Sequence, residues 1–333
     1  MRYSSRFFLY APVVLLLLLA AAVMIWWKIA ASSFDKQLTA DNGRELMPGV
    51  RMRYISKVME GFPFRIDAVL DGFSLEVQTH TGPLTWRADR FAIHMLTYAT
   101  SRQIFEAAGA QTFLWTDSAG APRRFSFVPG SLRASAIVSD GSLARFDLDV
   151  AALNSQELTG DRVQFHLRRN PRHDALDFAL AADGIHLSAA LRAGFGDDIE
   201  RVDIEGNVAP ALALQRLLGG REDWGAAAED WRHASGYLTV QPFQISWGKI
   251  DATGRGRLSL DAAHYLAGDL DLDIRGTDHF ALRSGSDAKL AAALRSAAGA
   301  LAREGRLITK LSFVGSDVFL GGRISTGKLD SLY

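Results

Sequence analysis

Two hydrophobic patterns divide this chain. Residues 7–27 form an apolar run that no charged residue interrupts, including Val13, Val14 and the leucine block 15–19. Beyond Gly61 the pattern changes to period two, the mark of strands with one wet and one apolar face. Phe73-Ser74-Leu75-Glu76-Val77-Gln78 alternates cleanly, as do Phe146-Asp147-Leu148-Asp149-Val150 and Val163-Gln164-Phe165-His166-Leu167. Leu176-Asp177-Phe178, Leu238-Thr239-Val240, Phe243-Gln244-Ile245-Ser246-Trp247 and Leu270-Asp271-Leu272-Asp273-Ile274 repeat it. Asp71-Gly72, Asp140-Gly141 and Asp183-Gly184 fall between such runs and predict type I′ hairpin turns, whose two central residues need positive φ. The chain is therefore expected to be mainly β with a few helices: an N-terminal transmembrane helix, then an extended, curved, mostly antiparallel sheet system.

As a helix rising about 1.5 Å per residue, the run 7–27 spans roughly the 30 Å hydrocarbon core of a bilayer. Arg2 and Arg6 precede it, and Trp26, Trp27 and Lys28 close it at headgroup level. The N-terminal arginines favour a cytoplasmic N-terminus and a periplasmic main domain, hence a single-pass inner-membrane protein. Ala20-Ala21-Ala22 leaves a cleaved signal peptide as the alternative, although cleavage there exposes Val23-Met24-Ile25-Trp26-Trp27 as a greasy new terminus. The expected organisation is a tail over 1–6, the anchor over 7–27, a helical connector over 28–60 and a β-rich domain over 61–333. Within that domain, a helical segment at 211–234 joins parts at about 61–206 and 236–333. A second amphipathic helix is expected over Leu290, Leu294, Ala298 and Leu301, ending at Gly305.

Composition narrows the chemistry. Lys+Arg and Asp+Glu both number 37, and without a basic excess nucleic acid is not an expected partner. Cysteine is absent, which removes disulfides, thiolate metal sites and cysteine nucleophiles. Neither a nucleophile elbow nor a phosphate-binding glycine loop occurs; Gly194-Phe195-Gly196 and Gly254-Arg255-Gly256 read as turns. Asp269, Asp271 and Asp273 alternate with Leu270, Leu272 and Ile274, the solvated face of a strand rather than a calcium loop. The eight histidines are scattered, and His166 and His186 fall on polar strand faces. No catalytic, metal or cofactor residue is assigned. Trp86, Trp115, Trp231 and Trp247 are candidates for an apolar groove or core, with Trp224 a further tryptophan beyond the anchor.

Several segments resemble a family of uncharacterised membrane-anchored bacterial proteins, the domain of unknown function twenty-one twenty-five. They begin with Gly61-Phe62-Pro63-Phe64-Arg65. They continue with Trp231-Arg232-His233-Ala234-Ser235-Gly236, Ile245-Ser246-Trp247-Gly248, Leu258-Ser259-Leu260-Asp261 and Phe319-Leu320-Gly321-Gly322-Arg323-Ile324. Where the family tends to have two glycines after the tryptophan-arginine pair, this chain has Ser235-Gly236. The layout is more distantly similar to AsmA-like inner-membrane proteins. That similarity implies a non-enzymatic envelope protein with membrane, lipid or another envelope protein as partner. A structural or assembly role and a hydrolase with a dispersed site are the alternatives.

Overall fold

The computed structural model describes residues 5–188, 196–279, 296, 299 and 302–333. The helix expected at Leu290, Leu294, Ala298 and Leu301 lies outside them, as do Arg2, Gly194 and Phe195. The chain opens with α1 (Ser5–Asp41), one unbroken helix with Pro12 inside it. The helical connector expected over 28–60 is helix only to Asp41. Three short strands follow: β1 (Glu45–Met47), β2 (Val50–Arg53) and β3 (Ser56–Glu60). Val50-Arg51-Met52-Arg53 and Lys57-Val58-Met59-Glu60 are too short for their alternation to stand out against helical spacing.

Long strands come next: β4 (Arg65–Thr79), β5 (Gly82–Leu96), β6 (Ala99–Thr116), β7 (Pro122–Ser139), β8 (Ser142–Ser155), β9 (Leu158–Arg169), β10 (Leu176–Leu187) and β11 (Asp198–Ala209). A helical insertion holds a 3-10 turn (Leu212–Leu214), α2 (Gln215–Leu218) and α3 (Trp224–His233). Then β12 (Tyr237–Trp247), β13 (Ile250–Leu260), β14 (Leu266–Arg275), β15 (Arg306–Val314), β16 (Asp317–Leu320) and β17 (Ile324–Lys328) complete the sheet. From β4 to β17 each strand pairs antiparallel with the next. β11 pairs with β12 across the insertion, so the two parts share one sheet. β2 and β3 lie end to end along the free edge of β4. No pairing among the described residues joins the last strands to the first, so the sheet is open rather than a barrel. The strands at its margins are short: β1 has 3 residues, β3 has 5 and β17 has 5. Little unpaired edge is left to template association.

Only one of the three Asp-Gly pairs makes the expected turn. Asp140 (φ 52°) and Gly141 (φ 71°) join β7 to β8 in the left-handed geometry of a type I′ hairpin. Asp71-Gly72 lies inside β4 and Asp183-Gly184 inside β10. There the glycines, at φ 61° and 60°, interrupt the ladder at a single position, while the pairing register on either side of them runs through unchanged. Gly254 and Gly256 likewise lie within β13, not in a turn. Cβ atoms there would meet the Phe243 ring at 2.7 Å and the Leu270 side chain at 2.8 Å, so the missing side chains make room for large neighbours on the same face.

α1 and the insertion both cover the apolar face of the sheet. Trp27, Ala30, Ala31, Phe34 and Leu38 form one helical stripe against Ile66, Ala68, Leu70, Phe91 and Ile93. Asp223 caps α3 by accepting the Ala226 N–H at 2.9 Å, and Arg232 and His233 occupy its last turn, both favourable to the helix dipole. α3 then buries Trp231 with Ala211, Leu214, Ala227 and Leu176. Gly236 follows that tryptophan so closely that a Cβ would lie 2.3 Å from its ring. Gly236→Ala is expected to cost about 1–3 kcal/mol through overpacking, read as a lowered denaturation midpoint. In a Trp231→Phe background the added cost should shrink; fully additive penalties would locate the strain elsewhere.

Candidate functional site

Residues opposite one another on antiparallel strands share a face, so the pairing register places every side chain. One apolar row runs from Phe91 on β5 through Ala107, Leu132, Val150, Val163, Ala182, Val202, Ile245, Ala252 and Ile274 to Leu307 on β15. It crosses eleven strands; at about 4.8 Å per interval it is roughly 48 Å long. A neighbouring row holds Phe105, Ala134, Leu148, Phe165, Leu180 and Ile204. The opposite face is polar and laced with ion pairs, including Arg133–Glu106 at 2.8 Å and Arg162–Asp149 at 2.7 Å. Such exposed pairs add little stability, but they keep that side wetted.

The apolar rows are covered unevenly. At one end α1 packs over β4 to β6, and an aromatic sequence continues from it. Phe73 stacks on Phe91 at 4.2 Å, Trp86 lies over Phe113 at 6.3 Å, and Phe113 over Phe127 at 6.3 Å. Elsewhere the insertion covers Leu167, Leu176, Val208 and Leu260. Between them Leu148, Val163, Phe165, Leu180, Val202 and Ile204 are half-buried and belong to none of the packed core clusters. Phe146 and Phe165 lie 6.5 Å apart beside this stretch. An uncovered apolar strip on an otherwise polar protein is the strongest feature from which to argue a binding role.

The four candidate tryptophans do not converge on this strip. Trp86 lies in the α1-covered core and donates from Nε1 to Gln111 Oε1 at 3.0 Å. Trp231 is buried under the insertion and donates to the Ala209 carbonyl at 3.0 Å. Trp115 is partly exposed near the end of β6, and Trp247, ending β12, donates to the Gly196 carbonyl at 3.1 Å. Trp224 is exposed and lines a cleft of about 600 Å³ between the β1–β2 hairpin, the insertion and the C-terminus. Leu148, Phe165, Leu180 and Ile204 carry the strip instead. Alternation identified their face, but which stretch of that face the helices leave bare is a long-range property.

Histidine–carboxylate pairs decorate the polar face. Asp147 accepts from Arg145, His166 and Ser135 at 2.7, 2.7 and 3.2 Å. Burial works against its charge, yet the hydrogen bonds from Arg145 and His166 outweigh it and hold the carboxyl below the ordinary range. The aspartate is the hub here, whereas acyl transfer needs the histidine between nucleophile and acid. His186 pairs with Asp198 at 2.7 Å. Asp269 and Asp273 meet Lys310 and Arg306 across the strand pair, as a solvated strand face requires. Among the described residues no three His, Asp or Glu side chains group to hold a metal ion.

The Trp231-Arg232 segment serves the fold. Glu229 accepts from Arg232 Nη2 at 2.6 Å and from the Tyr333 hydroxyl at 2.5 Å, and His233 lies 2.7 Å from it. The Arg232 guanidinium, then Tyr333, hold the Glu229 carboxyl far below its usual range. Burial, with Glu229 beside it, pushes the Tyr333 phenol up to about 12. Tyr333 also stacks on His264 at 4.2 Å, so this network fastens the C-terminus to α3. A lowered carboxyl pKa stabilises the fold fully above the unfolded value of 4.5, and that contribution is lost progressively as pH falls from there through the lower folded value. The raised phenol acts in the opposite direction, its contribution fading as pH rises from 10 towards 12. Glu229→Gln is therefore expected to melt below the wild type at pH 7, with the gap narrower at pH 3 because the contribution fades as pH falls below 4.5. A gap of equal size at both pH values would refute the ionic origin.

No curated protein matches the chain. A match to the uncharacterized proteins conserved in bacteria, DUF2125, runs over residues 27–329, from the tryptophan that packs α1 onto the sheet almost to the C-terminus. The chain therefore belongs to the DUF2125 family.

Proposed function

We propose that this protein is a non-enzymatic, membrane-tethered lipid handler that receives acyl chains on the bare middle of its apolar sheet face. One observation carries the reading: the apolar row is continuous over eleven strands, yet helices cover only parts of it. A row of roughly 48 Å exceeds the ~15 Å depth of one leaflet's hydrocarbon, so chains lying along it fit without bending back. The tether supports the same reading. α1 is long and apolar enough to cross a membrane, and its last turns pack on the face that carries the strip. In this reading the N-terminus is cytoplasmic and the sheet lies in the periplasm, at the surface of the inner membrane.

Full-length protein, extracted in mild detergent, is expected to carry lipid detectable by native mass spectrometry and to take up a fluorescent fatty-acyl probe. Phe165→Gln with Leu180→Gln should weaken probe uptake roughly tenfold, the equivalent of about 1.4 kcal/mol. Arg162→Gln on the polar face should leave it unchanged. Wild-type protein that carries no lipid and takes up no probe would sink the reading, and lipid-free protein recovered with one stoichiometric protein bound to the strip would favour an assembly role instead.

Sidedness has a separate test. A C-terminal alkaline phosphatase fusion, which folds only outside the cytoplasm, should be active; an inactive fusion at normal expression would reverse the orientation.

A further inference from the structure

The turn at 61–65 is not explained by lipid handling on the sheet. Its aromatic side chains point away from the core: Phe62 is 50% exposed and Phe64 63%, and Tyr98, in the turn between β5 and β6, is 74% exposed. Burial of the sheet leaves these three large rings in water. They nevertheless sit on rigid backbone. The Thr97 N–H and hydroxyl both donate to the Phe64 carbonyl, at 3.1 and 3.2 Å, which ties the two turns together. Beneath them Asp67, with 7% of its side chain exposed, accepts from Arg65 at 2.7 Å and lies 2.8 Å from His94 Nδ1. Gly61 closes the turn at φ 97°, with no room for a Cβ beside Asp67.

The height of this edge relative to a membrane follows from α1. A helix over 7–27 fills a hydrocarbon core of about 30 Å at about 1.5 Å per residue, so Trp26, Trp27 and Lys28 mark the boundary with the headgroups. Trp27 meets Phe62 edge to face at 5.6 Å and donates from Nε1 to the Arg65 carbonyl at 2.6 Å. The helix does not swing free of this contact, because Ala31 and Leu38 farther along it are buried in the sheet core. Phe62 is thereby held at the depth of Trp27, and the turn joined to it presents Phe64, Tyr98 and the 60%-exposed Arg65 side chain. Aromatic rings beside a guanidinium match the headgroup layer, where amphipathic rings and basic side chains both settle.

We propose that the edge formed by Phe62, Phe64 and Tyr98 is a second membrane contact, seated in the headgroup layer of the bilayer that α1 enters. The domain is then held at two points rather than swinging on one helix. The contact does not depend on whether the sheet binds lipid.

The chain has no cysteine, so single labels are clean. Phe64→Cys, Tyr98→Cys and, in the turn between β6 and β7, Ser118→Cys each place an NBD fluorophore at an exposed position. Full-length protein is reconstituted into phosphatidylethanolamine–phosphatidylglycerol nanodiscs with spin-labelled lipids. Labels at 64 and 98 should be quenched at least twofold more than the label at 118. A spin probe near the headgroup should quench them more than one deep in the acyl region. Quenching at 64 and 98 no greater than at 118 would overturn the proposal. This readout needs no ligand uptake, so it stands or falls separately from lipid handling.

Discussion

The packing of the last turns of α1 onto the sheet is the constraint on which the rest depends. Ala31 and Leu38, seven residues apart and therefore on one helix face, are almost wholly buried. Phe34 and Trp27 fill the stripe between and before them. Polar contacts reinforce it from the strand side: the Tyr54 hydroxyl donates to the Leu38 carbonyl at 3.0 Å, and Lys57 pairs with Asp35 at 2.7 Å with only 16% of its own side chain exposed. A helix that is apolar all round where it leaves the domain becomes one-sided where it joins it. The same element thus changes character along its length, and the change falls at Trp27. If this packing were loose, the sheet would be a separate body on a string. Because it is tight, α1 and the sheet form one mechanical unit.

An open antiparallel sheet of this length has two inherent problems, its edges and its flatness. Short marginal strands answer the first. Local irregularities answer the second: the β5–β6 register shifts at Gly109, and Gly72 and Gly184 take positive φ inside strands whose register is unbroken. Two of these glycines back directly onto a carboxylate. A Cβ on Gly109 would lie 2.3 Å from Asp89 Oδ2, and one on Gly184 2.2 Å from Asp161 Oδ2. The side chain of Asp89 in turn accepts the freed Ala110 N–H at 2.7 Å. At Gly109, then, the irregularity comes with its own partner for a backbone donor that the bulge takes out of the ladder.

Much of this architecture was legible from alternation alone, because period two is a local property imposed by the pleat. The runs at 146–150, 163–167 and 270–274 all proved to be strands. Asp-Gly was ambiguous for a physical reason: a hairpin turn and an irregular position inside a continuing strand can both take positive φ, and only the partner strand decides between them. Asp140-Gly141 ends its strand, while Asp71-Gly72 and Asp183-Gly184 continue theirs. Gly254-Arg255-Gly256 misled in the same way, since a glycine that makes room for Phe243 or Leu270 looks in sequence like one that allows a turn. The tryptophans were misleading for another reason. Trp86 and Trp231 do fill core volume, but the bare strip lies between their two clusters and is lined by Leu, Ile, Val and Phe, which sequence alone cannot separate from ordinary core.

The strip is more than an unfinished core. A sheet whose apolar face is to be buried permanently needs a second layer along its whole length. Here the covering helices come from opposite directions in sequence, α1 from the N-terminus and the insertion from between β11 and β12, and they leave outside their clusters the stretch of β8 to β11 that carries Leu148, Phe165, Leu180 and Ile204. Those strands, β8 to β11, are also in the interior of the pairing order, where each is paired on both sides. A face that is ordered by its ladder but unpacked on its surface keeps its shape whether occupied or empty. That property is what a site for interchangeable apolar chains requires, because the backbone does not refold as each chain comes and goes. On the proposed reading α1, which is long and apolar enough to cross a membrane, adds the remaining element by holding such a surface within reach of lipids.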